Sequence, residues 1–111
     1  MPAPLLTLIF PVYNGAESFE RAFTSNVDQL IEADFDVEIL ISNNASTDDT
    51  DAVCRKLIKR YKKHKNLDIH YTLQDENIGL YENYDYLYAQ ATGNYMAWPS
   101  HDDERLDGFF I

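Results

Sequence analysis

Apolar and polar residues alternate along the chain in two rhythms, one of strands and one of helices. Leu5-Leu6-Thr7-Leu8-Ile9-Phe10 is a nearly continuous apolar run, the pattern of a strand covered on both faces. Pro11-Val12-Tyr13-Asn14-Gly15 breaks it. Phe19, Ala22, Phe23, Val27, Leu30 and Ile31 then recur at helical spacing and predict a helix from Ala16 to about Ile31. Val37 to Ser42 reads as a second strand. Ser46 with Asp49 three residues on resembles a capped helix start, and Asp48 adds negative charge to that first turn. Val53, Leu57, Ile58 and Tyr61 give this second helix an inner face. A third strand runs from Leu67 to Leu73, with Ile69, Tyr71 and Leu73 on one side. After a loop over Asp75 to Gly79, Leu80, Tyr84, Leu87, Tyr88 and Ala91 mark a third helix ending at Gly93. Tyr95 to Trp98 is the fourth strand, stopped by Pro99. Strand and helix alternate without a hairpin signal, which predicts an α/β fold: a doubly wound, mainly parallel sheet with helices on both faces.

Composition narrows the picture. The 111 residues suit one domain, and a hydrophobic content of 45% suits a globular one. A formal charge of −10 argues against nucleic acid as a partner. Seven of the nine Lys and Arg residues fall between Arg55 and Lys65. They are expected to form the solvated face and cationic C-terminal end of the second helix, with a weak contact to an anionic membrane surface as the alternative. No stretch approaches the ~20 apolar residues of a membrane span. Leu5 to Val12 has no basic residue before it and no small-residue cleavage site after it, so it reads as a strand and not a signal peptide. The single cysteine, Cys54, excludes an internal disulfide and suits a reducing compartment; beside Val53 and Leu57 it reads as a buried helix residue. The expected location is cytoplasmic, including the periphery of the inner face of a membrane.

Ligands of a doubly wound sheet bind outside the carboxyl ends of its strands. The unusual polar segments fall there: Pro11 to Gly15, Asn43 to Asp49, and Ser100 to Glu104 with the adjacent pair Asp102-Asp103. An aromatic ring, amides, a helix N-terminus and paired carboxylates suit a nucleoside diphosphate and its metal. Acidic pairs suit a hard divalent cation, which in turn holds phosphate oxygens. Glycine-rich phosphate loops are absent, so phosphate is expected to be bound through metal. Each residue also has a plainer reading. Tyr13 could pack at the sheet edge, Asn43 and Asn44 could serve only a turn, and Asp102 and Asp103 could cap the next segment. His101 reads as a loop residue before a general base, and His64 and His70 lack ligand spacing with any other His or Cys.

The motifs taken together resemble those of the family-two glycosyltransferases of the GT-A, Rossmann-like fold. Thr7-Leu8-Ile9-Phe10-Pro11-Val12-Tyr13-Asn14 is similar to their opening strand, and Asn43-Asn44-Ala45-Ser46-Thr47-Asp48-Asp49-Thr50 to their second-strand motif, usually Asp-Asp-Gly-Ser-x-Asp-x-Thr. Asn77-x-Gly79, Ala91-x-Gly93-x-Tyr95 and the acidic pair follow in order. The resemblance implies a nucleotide-binding set of Pro11, Val12, Tyr13, Asn43, Asn44 and Asp102, with Tyr13 against a uracil-type ring. It also implies a divalent metal, manganese or magnesium, on Asp102 and Asp103. Asn43 and Asn44 replace two aspartates, and Ser100 replaces the first acid of the usual Asp-x-Asp-Asp. Asn43→Asp is expected to sharpen a preference for uridine nucleotides.

The implied activity is transfer of a sugar from a nucleotide-diphosphate sugar, UDP-type first, to an acceptor hydroxyl in polysaccharide biosynthesis. The catalytic base is expected beyond Ile111. The 111 residues are expected to be one nucleotide-sugar-binding domain that stops before the acceptor-binding half and is inactive alone. Its terminal apolar cluster, Leu106 to Ile111, is expected to promote self-association. The alternative is a non-catalytic nucleotide-binding remnant, or a module completed by another chain. A magnesium-dependent phosphatase or phosphoacceptor domain would want an acid after the first strand, and a sugar-nucleotide pyrophosphorylase a glycine-rich loop; neither is there.

Overall fold

The computed structural model describes residues 4–98. The elements follow as β1 (Leu6–Val12), α1 (Phe19–Val27), β2 (Val37–Asn43), α2 (Thr50–Tyr61), β3 (Leu67–Leu73), α3 (Leu80–Gln90) and β4 (Tyr95–Ala97). The sheet order is β3-β2-β1-β4, and every pairing is parallel. Side chains alternate across it. Leu8, Phe10, Val12, Val37, Ile39 and Ile41 face α1 and α2 in the larger core, while Ile9 and Leu40 meet Leu87 of α3 on the other face. An α/β sheet with helices on both faces is therefore what the alternating pattern builds. In the larger core the rings of Phe10, Phe19, Phe23 and Tyr61 interlock, with the Phe23 centroid 5.4 Å from that of Phe10 and 5.3 Å from that of Tyr61.

Strand β2 runs one residue past Ser42 and β4 ends at Ala97 and not Trp98, and three further differences from the sequence expectation have a structural cause. Strand β1 does not stop at Phe10; it continues through Pro11, which sits opposite Ser42 in the register. Val12 turns its carbonyl toward β2, where it accepts from the Asn44 N–H at 2.8 Å. By alternation the nitrogen of Pro11 faces the other side, where the described part of β4 pairs with Leu6, Thr7 and Leu8. Among the described residues no strand faces that nitrogen, so the proline costs them no ladder bond.

Helix α1 is shorter than Ala16 to Ile31. Gly15 to Ser18 form a turn, with the Ser18 and Phe19 N–H groups both reaching the Gly15 carbonyl. Past Val27 the chain tightens into i→i+3 turns, Leu30 N–H to Val27 O at 2.8 Å and Ala33 N–H to Leu30 O at 3.1 Å. Asn66 Nδ2 also takes the Leu30 carbonyl at 2.8 Å. The apolar spacing persisted through this stretch because Leu30 is still buried.

Gly93 is not the helix cap the pattern suggested, since α3 ends at Gln90 with an extended Ala91 at its C-cap. Its role is a close approach: its N–H donates to Thr7 Oγ1 at 2.9 Å. Thr7 Oγ1 in turn donates to Glu38 Oε1 at 2.9 Å, and Glu38 also accepts from the Thr92 N–H and hydroxyl. This buried polar knot pins the entry of β4 to β1 and β2. Leu80, Tyr81, Tyr88, Tyr95 and Trp98 are exposed on and beside α3. The segment Leu106 to Ile111, for which self-association is expected, lies outside the described residues.

Candidate functional site

Two loops meet at the carboxyl ends of β1 and β2, and short polar side chains lock them together. The Asn14 N–H donates to Ser46 Oγ at 2.9 Å, while Asn14 Oδ1 accepts from the Thr47 N–H at 2.8 Å. The Gly15 N–H reaches Thr50 Oγ1 at 2.9 Å, and the Ala16 N–H reaches Asp48 Oδ2 at 3.2 Å. Asp48 also accepts from the Thr50 N–H at 2.9 Å and from the Thr50 hydroxyl. Desolvation opposes its charge, but these hydrogen bonds outweigh it and hold its carboxyl below the usual aspartate range. The expected Ser46–Asp49 capping box is thus replaced. Ser46 serves the first loop, the N-cap Asp49 makes no side-chain cap bond, and Asp48 satisfies the start of α2 instead.

Both loops carry a left-handed residue, Asn14 at φ 50° and Ala45 at φ 58°. Asparagine tolerates that region, whereas alanine is strained there by about 1 kcal/mol. Ala45→Gly is therefore expected to stabilise the chain by about 0.5 kcal/mol at most, the relieved strain less the entropy that glycine adds to the unfolded chain, read as a small rise in thermal midpoint.

Beside these loops lies a cleft of about 310 Å³, lined by Pro11, Val12, Tyr13, Asn44, Asn77, Leu80 and Asn83. That volume is at the lower end of small-molecule sites. Tyr13 is 43% exposed at its edge, an aromatic surface with room for a partner. The amides in the walls are fixed. Asn44 Nδ2 donates to Asn77 Oδ1 at 3.0 Å and to the Gly79 carbonyl at 3.1 Å, and its Oδ1 accepts from the Ile78 N–H at 2.8 Å. Gly79, at φ 98°, gives that loop its turn. Asn83, buried in α3, exchanges two bonds with Ser42: the Ser42 hydroxyl donates to Asn83 Oδ1 at 2.6 Å, and Asn83 Nδ2 donates to the Ser42 carbonyl at 3.0 Å. The cleft is preformed, because its polar lining is already oriented.

The sequence-derived residues divide in three. Pro11, Val12, Tyr13 and Asn44 come together in the cleft wall. Asn43 ends β2 on the opposite face, toward α2, where its Nδ2 donates to the Tyr71 hydroxyl at 3.0 Å and its Oδ1 accepts from the Ser46 N–H at 3.1 Å. Ser100, His101, Asp102, Asp103 and Glu104 lie outside the described residues. Leu80, Asn83 and Tyr71 were not singled out as site residues in the sequence. Asn83 could have been: it stands four residues before Leu87, on the same buried side of α3, and a buried amide wants a partner.

Two further groups carry less. Cys54 is buried, and desolvation pushes its thiol up to about 12, so it is an inert packing residue. His70 gains acidic neighbours through the sheet register: ligand atoms of Glu38, Asp68 and His70 lie within 4.8 Å of one another. The Glu38 carboxylate there is already bonded to Thr7 and Thr92, and Asp68 pairs with His70 at 2.9 Å. Glu38 also stands five residues before Asn43 along β2, so the group lies roughly 16 Å from the cleft end of the sheet.

Comparison with known proteins agrees with this architecture. A glucosyltransferase of Campylobacter jejuni, named for its GalNAc(5)-diNAcBac-PP-undecaprenol acceptor, is 32% identical over 106 residues, which are 95% of this chain and 32% of that protein. An abequosyltransferase of Salmonella typhimurium is 30% identical over 102 residues, 92% of this chain and 29% of its own length. A mannosyltransferase of Pyrobaculum calidifontis, solved with GDP-Man and Mn2+, superposes with a TM-score of 0.68 at 25% identity, over 92% of this chain and 28% of that one. The chain spans between 13% and 32% of the length of the curated relatives it matches. The family model described as glycosyl transferase family 2 matches residues 7–110. With its parallel sheet and its cleft at the carboxyl ends of β1 and β2, this chain belongs to glycosyl transferase family 2.

Proposed function

We propose that these residues form the nucleotide-binding part of an enzyme that moves a glycosyl group from a nucleoside-diphosphate sugar to an acceptor hydroxyl. The observation that carries this reading is the preformed cleft, with the exposed ring of Tyr13 at its edge and the fixed amide of Asn44 in its wall. Tyr13 would stack on the base, Pro11 and Val12 would give it an apolar floor, and Asn44 would hold the Asn77–Gly79 turn that walls its polar edge. Asn43 would act from behind by holding Ser46.

The described lining residues supply neutral amides and no carboxylate, so the described part of the cleft does not by itself make a site for a hard divalent cation. Asp102 and Asp103 are the proposed ligands of manganese or magnesium. When bound, that ion would neutralise charge on the leaving diphosphate. The mannosyltransferase solved with GDP-Man and Mn2+ supports the pairing of nucleotide and metal. The acceptor named for the Campylobacter relative supports a growing glycan as acceptor. No helix among the described residues is long and apolar enough to cross a membrane. With one buried cysteine, a cytoplasmic position beside the membrane is the proposed location.

Calorimetry of UDP in the presence of manganese tests the cleft. Tyr13→Ala is expected to weaken binding about tenfold, in line with ~1–3 kcal/mol for stacking one base on one ring. Equal affinity in wild type and Tyr13→Ala would remove the base from this cleft.

A further inference from the structure

Four hydrogen bonds run in one direction from the edge of the cleft to the outside of the sheet. The Asn14 N–H donates to Ser46 Oγ at 2.9 Å, and the Ser46 N–H donates to Asn43 Oδ1 at 3.1 Å. Asn43 Nδ2 donates to the Tyr71 hydroxyl at 3.0 Å, and that hydroxyl donates to Asp51 Oδ1 at 2.6 Å. The polarity follows from chemistry. A backbone N–H can only donate, so the oxygen of Asn43 must face Ser46 and its nitrogen must face Tyr71. Tyr71 has one proton, and an ionised carboxylate can only accept it. Arg55 holds Asp51 in place, with Nε 3.0 Å from the carboxylate and its guanidinium 5.5 Å from the centre of the Tyr71 ring.

The ionisation of the two end groups fits this order. Burial and then the Asp51 hydrogen bond raise the Tyr71 hydroxyl above its ordinary value, so it keeps its proton. The Tyr71 hydrogen bond, and then Arg55, lower Asp51, so it keeps its charge. The Asn43 amide and the Tyr71 hydroxyl each accept and donate through one polar group, so their bonds polarise one another and end on an anion. At Ser46 the connection is mechanical, from its hydroxyl to its own backbone N–H. Its first donor is the backbone of Asn14, the residue after Tyr13.

We infer that Tyr71 and Asp51 are positioning residues of the nucleotide cleft, which fix the Tyr13 loop through Asn43 and Ser46. The inference rests on the proposed nucleotide site and adds to it two residues on β3 and α2 that touch no ligand. It also gives a reason for asparagine at position 43. An aspartate there would put a second carboxylate on a hydroxyl whose proton Asp51 already holds, leaving two acceptors face to face. Asp51→Asn resolves that conflict, because the amide nitrogen it introduces can donate to the Tyr71 oxygen and free the tyrosine proton for residue 43.

The test is a reversal cycle on the full chain, read by thermal midpoint and by UDP affinity with manganese. Asn43→Asp is expected to lower the midpoint by about 5–10 °C and to weaken UDP about tenfold. Adding Asp51→Asn to it should recover most of both losses. Tyr71→Phe, which removes the relay oxygen, should weaken UDP about fivefold, and Asp51→Asn added to it should recover nothing; this pair carries the test if Asn43→Asp does not fold. A midpoint that falls while UDP affinity stays at the wild-type value would make the relay purely architectural and overturn the inference. So would Asn43→Asp with Asp51→Asn being no better than Asn43→Asp alone. A wild-type chain that binds no nucleoside diphosphate overturns the functional reading and this inference with it. Wild-type binding with unchanged variants overturns this inference alone.

Discussion

Nucleoside diphosphate binding is expected to fall a hundredfold or more when divalent metal is removed by a chelator. None of the described residues lining the cleft is basic, and the chain carries a formal charge of −10. A diphosphate brought there would meet amides, apolar walls and a repulsive field. One charge pair at 4 Å is worth about 4 kcal/mol at an effective dielectric of 20, so loss of the one counter-ion easily accounts for two orders of magnitude. Asp102→Asn should remove most of the metal-dependent part and Asp103→Asn less. Glu38→Gln is the control. Its carboxylate belongs to the other end of the sheet, so it should alter stability without altering the metal dependence of UDP binding. Calorimetry with manganese and then with chelator decides the matter, and equal affinities would take the metal out of the site.

Gly93→Ala is expected to destabilise the chain by about 2 kcal/mol, lowering the thermal midpoint by about 10 °C. A Cβ at that position would stand 2.5 Å from Thr7 Oγ1, 2.8 Å from Thr7 N and 2.9 Å from the Leu6 carbonyl carbon. Two of these neighbours are backbone atoms of β1 and cannot swing aside. The entry of β4 would have to back away, loosening the bonds from Gly93 to Thr7 and from Thr92 to Glu38. Since β4 carries the chain in parallel with β1 toward the cleft end of the sheet, the same change should also weaken metal-dependent UDP binding. A midpoint unchanged within a degree would show that β4 has slack against β1.

Strands β1 and β2 were legible because burial on both faces writes a nearly continuous apolar run. Strand β3, half exposed beside β2, was found to the residue, Leu67–Leu73, from the alternation of Leu67, Ile69, Tyr71 and Leu73. Helix α2 was legible for the matching reason: Cys54, Leu57 and Tyr61 return to one face. Helix α1 was read too long because Leu30 is buried from a turn, and spacing alone does not distinguish a turn from a helix. Pro11 was read as a break because whether a missing N–H matters depends on what faces it, and that side of β1 belongs to β4, far along the chain.

The site divides along the same line. Local sequence determined that polar loops follow β1 and β2, that Tyr13 sits at the first of them, and that no glycine-rich phosphate loop exists. Tertiary structure decided the rest. It turned Asn44 into the cleft and Asn43 away from it, because consecutive residues at a strand end point to opposite faces. It supplied Leu80 and Asn83 from α3 as the far wall. It gathered Tyr71 and Asp51 behind Asn43, and Gly93 against Thr7, across separations of 20 to 86 residues. Periodicity and local turn chemistry are written in the order of the residues, because they act between near neighbours. Which amide meets which hydroxyl is set by the sheet register and the helix crossings, and only the folded chain contains those.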